Sequence, residues 1–193
     1  MQVTETNLDG VKVIQPVAFR DNRGSFFESF QMDRYEEVLG GPIHFVQDNF
    51  SFSKHGVLRG LHTQWFAHQA KLVSVIHGTV LDVIVDIDPE SPTCGQHVTI
   101  ELSCKNRRQI WIPPRKYAHG FCVISAEAVF HFKSTTFYAP QSEVGVRWND
   151  PALGISWPDL QPIVSARDCL LPTLDELHRS GMLKKKFTEP TQS

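Results

Sequence analysis

The sequence has 193 residues, of which 41% are hydrophobic and 21% charged, and its formal net charge is −2. A chain of this size and composition can bury a core as one globular domain, which we expect to span residues 1–193. The near-neutral balance excludes a general nucleic-acid binder, which would carry a large basic excess. No signal peptide is visible, and no apolar run approaches the ~18 residues of a membrane span. We therefore expect a cytoplasmic protein without a membrane partner.

The four cysteines, at positions 94, 104, 122 and 169, form no CxxC pair and show no zinc-like spacing. We expect free thiols in a reducing compartment. The sequence ends, from about residue 183, in the polar and basic run LKKKFTEPTQS. We expect this run to be a flexible, solvated tail.

The interior of the chain is predicted to form short β-strands. Segments rich in β-branched and aromatic residues recur between turn-forming residues at intervals of about 8–12 residues, which is typical of a sandwich or barrel. Two of these segments meet at His77-Gly78-Thr79, where we expect a tight hairpin. The predicted strands are, in chain order, 10–16, 24–29, 71–77, 80–87, 97–102, 109–112, 121–124 and 128–134.

Helical patterns are confined to the flanks of this β-rich region. The segment 33–39 (DRYEEVL) precedes two glycines that would end a helix, and a second helix is predicted from Thr173 to Leu183 with Thr173 as its cap. The sequence therefore predicts an all-β fold with short flanking helices.

A polar segment between residues 47 and 62 contains the first candidate for chemistry. Arg59 and His62 are three residues apart with Gly60 between them, so in a regular strand their side chains would face opposite sides. A turn or bulge at Gly60 would bring the cation beside the imidazole and suggest an anion site next to a base. An isolated histidine is, however, more often structural than catalytic.

Two further positions stand out. His119 lies between small residues at the entry to a predicted strand, where it could equally reach a barrel mouth or be buried against the backbone. Asp168 precedes the apolar run Cys169-Leu170-Leu171, so its carboxylate needs a compensating partner.

A set of short motifs in a fixed order covers residues 3–178, nearly the whole chain. Each motif is weak alone, but the ordered set resembles the dTDP-4-dehydrorhamnose 3,5-epimerase family. The motifs are RGLH (59–62), KLV (71–73), DVIVDI (82–87), SPT-G (91–95), QIWIP (109–113), AHGF (118–121), FYAP (137–140), WNDPALGISWP (148–158) and SARD (165–168).

The resemblance implies a cupin-like jelly-roll β-barrel, normally a homodimer, that binds a nucleotide-linked 4-keto-6-deoxy sugar and needs no metal or organic cofactor. It implies His62 as the catalytic base, Asp168 as the carboxylate that orients and polarises it, and Lys71 as the cation for the enolate oxygen. The implied substrate contacts are Arg23, Gln47, Asn49, Arg59, His119, Tyr138 and Glu143.

The implied chemistry is consistent with these residue types. A ketone at C4 of the sugar acidifies the C–H bonds at C3 and C5, so a base with a pKa near neutrality can remove either proton. The negative charge that develops on the carbonyl oxygen needs a fixed cation or hydrogen-bond donor. Inversion then requires that a proton reach the opposite face of the ring.

The sequence departs from the family at the residue that would deliver this proton. The family usually carries a tyrosine acid immediately before a strand lysine, whereas this chain has Phe132 before Lys133. Strand alternation directs His131 to the other face, so it is a poor substitute.

Another group or a water could protonate the enolate and leave a slower double epimerisation, or the protein could be an inactive binder. We favour an epimerase restricted to one carbon, C3 or C5, because His62, Lys71 and Asp168 all remain. Thr63, where an aromatic residue is common in the family, is a second departure and suggests a reshaped pocket.

Three alternatives remain open. A metal-dependent cupin could use His62, His68 and His119, but Lys71 would repel the cation, and stoichiometric metal in the purified protein would reveal it. A 3,4-ketoisomerase would use the same enolate chemistry but move the ketone. A non-catalytic sugar-nucleotide-binding protein would never exchange sugar protons with solvent.

Overall fold

The computed structural model describes residues 1–184, so the predicted basic tail lies outside the described residues from residue 185 onward. Short strands are the predominant secondary structure of the described chain. They are β1 (Gln2–Glu5), β2 (Lys12–Gln15), β3 (Ala18–Asp21), β4 (Gly24–Phe27), β5 (Gln47–Lys54), β6 (Val57–Gln64), β7 (Lys71–His77), β8 (Thr79–Asp86), β9 (His97–Ser103), β10 (Gln109–Ile112), β11 (Tyr117–Val123), β12 (Glu127–Ser134), β13 (Glu143–Gly145) and β14 (Ile163–Val164).

Two large sheets, antiparallel except for the short parallel strand β14, pack face to face. The first sheet has the order β1-β2-β10-β7-β12-β5, and the second has the order β13-β6-β11-β8-β9 with β14 beside β6. Strands β3 and β4 form a separate hairpin. The predicted all-β, cupin-like jelly roll is confirmed.

The core lies between the inner faces of the two sheets because alternate residues of each strand point inward. Val73 and Phe130 of the first sheet and Ile84 and Phe121 of the second belong to one buried apolar cluster. The rings of Phe121 and Phe130 stack with centroids 4.2 Å apart. This cluster fills one part of the sandwich and leaves the other part for a cavity.

The helices flank the sandwich, as predicted. Helix α1 (Met32–Leu39) ends at Gly40 in the left-handed conformation and buries Tyr35 against the outer face of the first sheet. Helix α2 is the short segment Ala166–Cys169. Helix α3 (Leu174–Arg179) begins at a capping box formed by Thr173 and Glu176, and it is shorter than the predicted segment 173–183. Within residues 1–184, no helix is long and apolar enough to cross a membrane.

The predicted hairpin at His77-Gly78-Thr79 is wrong. Strand β7 pairs with β10 and β12 in the first sheet, whereas β8 pairs with β9 and β11 in the second. The chain therefore passes from one sheet to the other at Gly78. A Cβ atom at Gly78 would lie 2.1 Å from the carbonyl oxygen of Glu127, so glycine is required by this close approach and not by a hairpin turn.

Candidate active site

A cavity of about 300 Å³ lies between the two sheets. The second sheet contributes two histidines, His62 and His119, and we call this side of the cavity the His62 wall. The first sheet forms the facing side, which we call the Lys71 wall. The His62 wall consists of Arg59, His62, Thr63, Gln64, His119, Gly120, Phe121 and Glu143; the Lys71 wall consists of Gln47, Asn49, Ser51, Lys71, Phe130 and Phe132.

An irregularity in β6 brings Arg59 and His62 into the same cavity. His62 pairs with His119 of β11 and Arg59 pairs with Phe121, so three steps along β6 oppose two along β11. Gly60 lies within this bulge at φ +120, where a Cβ would be 2.6 Å from the Cα of Gly120. The irregularity predicted at Gly60 is confirmed, since without it the two side chains would point to opposite faces.

His62 forms a hydrogen bond with the carboxylate of Asp168, with 2.8 Å between Nε2 and Oδ1. The Gly60 N–H donates to the second oxygen, Oδ2, at 3.3 Å. Ser165 caps helix α2 by accepting a hydrogen bond from the Asp168 N–H, which fixes the backbone that carries the carboxylate. Because Nε2 is held by Asp168, Nδ1 is the ring nitrogen left for a proton from a ligand.

The environment of Asp168 keeps it ionised. Burial raises the pKa of this carboxyl, but the hydrogen bond and charge of His62 and the donors at Gly60 and Ser165 outweigh burial and lower the pKa below 3.8. A carboxylate in this position fixes the imidazole tautomer and stabilises the imidazolium that forms when the ring accepts a proton.

A second histidine–aspartate pair lies beside the first. The Nε2 atom of His119 is 2.9 Å from Oδ2 of Asp82, and both side chains are buried. The other oxygen of Asp82, Oδ1, has no hydrogen-bond partner among the described residues. The His119 ring lies against Phe130, with centroids 6.0 Å apart.

Lys71 supplies the positive charge on the facing wall. Burial lowers its pKa to about 8, although the negative charges of Glu143 and Asp82 oppose the shift. Its Nζ atom lies 5.6 Å from the centroid of the Phe132 ring. The ammonium therefore faces the cavity from the side opposite His62.

The alternation predicted for β12 is confirmed. Phe130 and Phe132 line the cavity, while His131 lies on the outer face of the sheet. His131 stacks on Phe50 with ring centroids 4.6 Å apart and bonds Ser74 at 3.1 Å. It is therefore separated from the cavity by its own sheet.

The predicted contacts at one end of the cavity are also brought together. The Gln47 amide donates to Oδ1 of Asn49 at 2.8 Å, and its carbonyl oxygen accepts from the Tyr138 N–H at 3.0 Å. Glu143 forms an ion pair with Arg167 at 2.8 Å. The Tyr138 ring is half exposed beside this group.

Arg23 is not brought to the cavity. It lies on the exposed β3–β4 hairpin, where it pairs with Asp21 and lines a separate surface depression. His68, weighed as a metal ligand, contacts Arg115 instead. Among residues 1–184, no three His, Cys, Asp or Glu side chains come close enough to hold a metal ion.

Three functional candidates were not found from the sequence. Asp82 and Arg167 are the charged partners of His119 and Glu143, and Ser51 lines the Lys71 wall. Ser51 could have been found by counting two residues along a strand from Asn49, but the segment 47–54 was not predicted as a strand. Asp82 needed the register of β8 against β11, which one sequence does not provide.

The fold and this pocket define a class of protein, the jelly-roll isomerases that act on carbohydrates as epimerases. Comparison with known proteins then identifies the particular family. The profile of the dTDP-4-dehydrorhamnose 3,5-epimerase family matches residues 5–176. The chain belongs to this family.

Individual relatives agree over nearly the full length. The dTDP-4-dehydrorhamnose 3,5-epimerase of Salmonella typhimurium is 48% identical over 178 residues, covering 91% of this chain and 97% of the relative. A 3,5-epimerase from Legionella pneumophila, crystallised with dTDP-4-keto-L-rhamnose, superposes with a TM-score of 0.86 at 50% identity, covering 90% of this chain and 93% of the relative. A 3'-monoepimerase from Streptomyces bikiniensis, in complex with dTDP-quinovose, superposes with a TM-score of 0.87 at 30% identity, covering 92% and 90%.

Proposed function

We propose that the protein epimerises a dTDP-linked 4-keto-6-deoxy sugar by removing a proton next to the ketone and returning one to the opposite face. The observation that carries this proposal is the pair His62–Asp168 on one wall of a cavity whose facing wall carries the Lys71 ammonium. The bound keto sugar of the Legionella relative supports the choice of substrate.

Each of the three groups has one task in the reaction. The imidazole of His62 takes the proton from C3 or C5, and the electron pair of the broken C–H bond moves into the enolate. Asp168 holds the ring and stabilises its positive charge. Lys71 stabilises the negative charge on the C4 oxygen, an interaction worth about 10²–10³-fold in rate when a single donor of this kind is removed. The proton transfers need no metal or organic cofactor.

The remaining predicted residues would bind the substrate. Arg59, Gln47 and Asn49 offer a cation and amides to the pyrophosphate and sugar, and His119 lies beside the ring of the bound sugar. Tyr138 and Glu143 lie at the end of the cavity where a nucleotide would enter.

We propose restricted regiochemistry, with inversion at C3 only or at C5 only. Phe132 lines the Lys71 wall and carries no exchangeable proton, so it cannot act as the acid that protonates the enolate. A proton donor fixed elsewhere on the wall would protonate one of the two carbons, C3 or C5, more efficiently than the other. One of the similar structures is a 3'-monoepimerase, which supports the proposal of inversion at a single carbon.

We also propose a homodimer. Arg23 lies in the turn of the β3–β4 hairpin, whose strands expose Phe19 and Phe26, and the outer face of the edge strand β5 exposes Phe50 and Phe52. Apolar surface of this kind marks interaction sites, and in a dimer Arg23 could reach a partner's cavity. Light scattering would test this: a dimer mass is expected, and a monomer at micromolar concentration would contradict it.

The free thiols fit a cytoplasmic location.

The test of function is proton NMR of a dTDP-4-keto-6-deoxyhexose incubated with the enzyme in deuterated water. We expect deuterium at one of C3 and C5 with inversion at that carbon and the ketone still at C4. Deuterium and inversion at both carbons would overturn the restriction alone. A ketone moved to C3 would identify a ketoisomerase, and binding without exchange would identify a non-catalytic protein.

A further inference from the structure

Inversion needs a proton donor on the wall that faces His62. A proton removed by His62 leaves from one face of the sugar ring, so the replacing proton must come from the Lys71 wall. The aromatic rings of that wall, Phe130 and Phe132, have no proton to give. Gln47 is engaged with Asn49 and with the backbone of Tyr138. The polar groups that remain on the wall are Asn49, Ser51 and Lys71.

Two of these groups have unused hydrogen-bonding atoms. The Nδ2 atom of Asn49 and the Oγ atom of Ser51 are both shielded from solvent, and neither has a hydrogen-bond partner among residues 1–184. Native proteins rarely leave such atoms unsatisfied, and ordered water or a ligand usually completes them.

The register of the first sheet places both atoms next to the aromatic pair. In the antiparallel ladder of β5 and β12, Asn49 is opposite Phe132 and Ser51 is opposite Phe130. Asn49 and Ser51 are two residues apart on one strand, so their side chains share the cavity face. Directly opposed residues have Cβ atoms about 4.5–5.5 Å apart, which leaves the two polar atoms beside the rings.

We propose that Ser51 and Asn49 position a water molecule on the Lys71 wall, and that this water donates the proton that completes the inversion. The inference rests on the proposed function, because it assigns the donor for that reaction. Ser51 and Asn49 act here as positioning residues, and the water is the group that contacts the reacting carbon.

The proton balance closes with Lys71. As the enolate returns to the ketone, its carbon forms a C–H bond with a proton of the water, and the water oxygen takes a proton from the Lys71 ammonium. The charge on the C4 oxygen disappears in the same step, so the ammonium is no longer needed there. Afterwards the His62 imidazolium releases one proton to solvent and the Lys71 amine takes one up. The lowered pKa of Lys71, about 8, supports a role as proton source.

The variant Ser51→Ala tests the proposal in deuterated water with a dTDP-4-keto-6-deoxyhexose. His62 can return a deuteron to the face from which it took the proton, which labels the substrate without inverting it. We expect Ser51→Ala to lower the rate of inversion about 10–100-fold, while labelling with retained configuration stays within about twofold. The matched control is Ser74→Ala, on the outer face of the same sheet, which should change neither rate.

A second variant separates a donor role from a structural one. Phe132→Tyr adds a hydroxyl to the same wall, so it should take over the task of the water. We expect the double variant Ser51→Ala/Phe132→Tyr to invert within about threefold of Phe132→Tyr alone, because the two changes act on one step. This rescue would not occur if Ser51 only supported the fold.

Several outcomes would overturn the inference. Ser51→Ala could leave inversion unchanged, lower inversion and labelling equally, or raise KM with no change in the ratio of inversion to labelling. Each outcome would make Ser51 a bystander or a substrate contact. If the wild-type protein neither labels nor inverts the substrate, the proposed function itself fails, and that result is distinct from all of these.

Discussion

The cavity contains two histidine–aspartate pairs that look alike and differ in their surroundings. His62 and Asp168 are joined at 2.8 Å, and His119 and Asp82 at 2.9 Å. The two histidines are direct partners across β6 and β11. The His62 side chain is 20% exposed, whereas that of His119 is 8% exposed and lies against Phe130.

The carboxylates differ more than the histidines. Asp168 uses both oxygens, since it accepts from His62 and from the Gly60 N–H, and its pKa is lowered despite burial. Asp82 is completely buried and one of its oxygens has no partner among the described residues. A base needs access to the substrate and a carboxylate that is already stabilised as an anion. These differences support our proposal that His62 abstracts the proton and that His119 positions the substrate.

The largest expected effect comes from replacing the histidines one at a time. We expect His62→Asn to lower kcat about 10⁴-fold, because it removes the base. The matched variant His119→Asn should lose about 10–100-fold, mainly through weaker binding of the substrate. Steady-state kinetics with the keto sugar would measure both, and equal losses would remove the distinction between the pairs.

Removing the cation that faces both pairs should have the next largest effect. We expect Lys71→Met to lower kcat about 10²–10³-fold by removing the stabilisation of the enolate oxygen. The same change should raise the melting temperature at pH 7, because burial opposes the charge of Lys71 in the folded protein. Thermal unfolding and steady-state kinetics of the same variant would test both expectations. A lower kcat together with a lower melting temperature would instead indicate damaged packing.

The pH dependence of kcat should show a smaller effect, which distinguishes the titration of Lys71 from that of the histidines. The pKa of Lys71 is lowered to about 8, so the ammonium is lost as pH rises through that value and kcat should fall above it. In Lys71→Arg the charge persists at all accessible pH values. We expect this alkaline limb to disappear in Lys71→Arg, whatever its overall rate. An unchanged limb would assign the titration to another group.

The smallest expected effect concerns stability at acid pH. The folded-state pKa of Asp168 lies below 3.8, so its ionisation contributes stability above that pH and the contribution is lost as pH falls through the folded value. Urea unfolding should therefore show wild type more stable than Asp168→Asn at pH 7, with the gap narrowing below about pH 4. A gap that is constant with pH would contradict this assignment.

The sequence predicted strands best where an apolar run stands between clear turn formers. Strands 71–77 and 109–112 have the predicted bounds, and the fold class was right. Strand β5 was not predicted, because its alternate polar residues line the cavity and not an apolar core. Strand β6 was not predicted, because Arg59, His62 and the bulge at Gly60 interrupt its apolar pattern. The hairpin at Gly78 was wrong because pairing depends on which sheet a strand joins, and local sequence carries little of that information.

The candidate site divides in the same way. Most of its residues were identified through ordered motifs, and the bulge at Gly60 through simple strand geometry. Asp82 and Ser51 were missed because their importance arises only from cross-strand register. Arg23 was expected in the pocket but lies on the β3–β4 hairpin, whose place in an assembly a single chain does not fix.

The most direct test of the account compares two isosteric variants, Asp168→Asn and Asp82→Asn, by the rate at which each catalyses deuterium exchange into the keto sugar. We expect a loss of about 10²–10³-fold for Asp168→Asn, because the His62 imidazole is then no longer held in the reactive tautomer and its positive charge is no longer balanced. For Asp82→Asn we expect a loss of less than about tenfold. A larger loss for Asp82→Asn than for Asp168→Asn would contradict the proposed roles and make His119 the base.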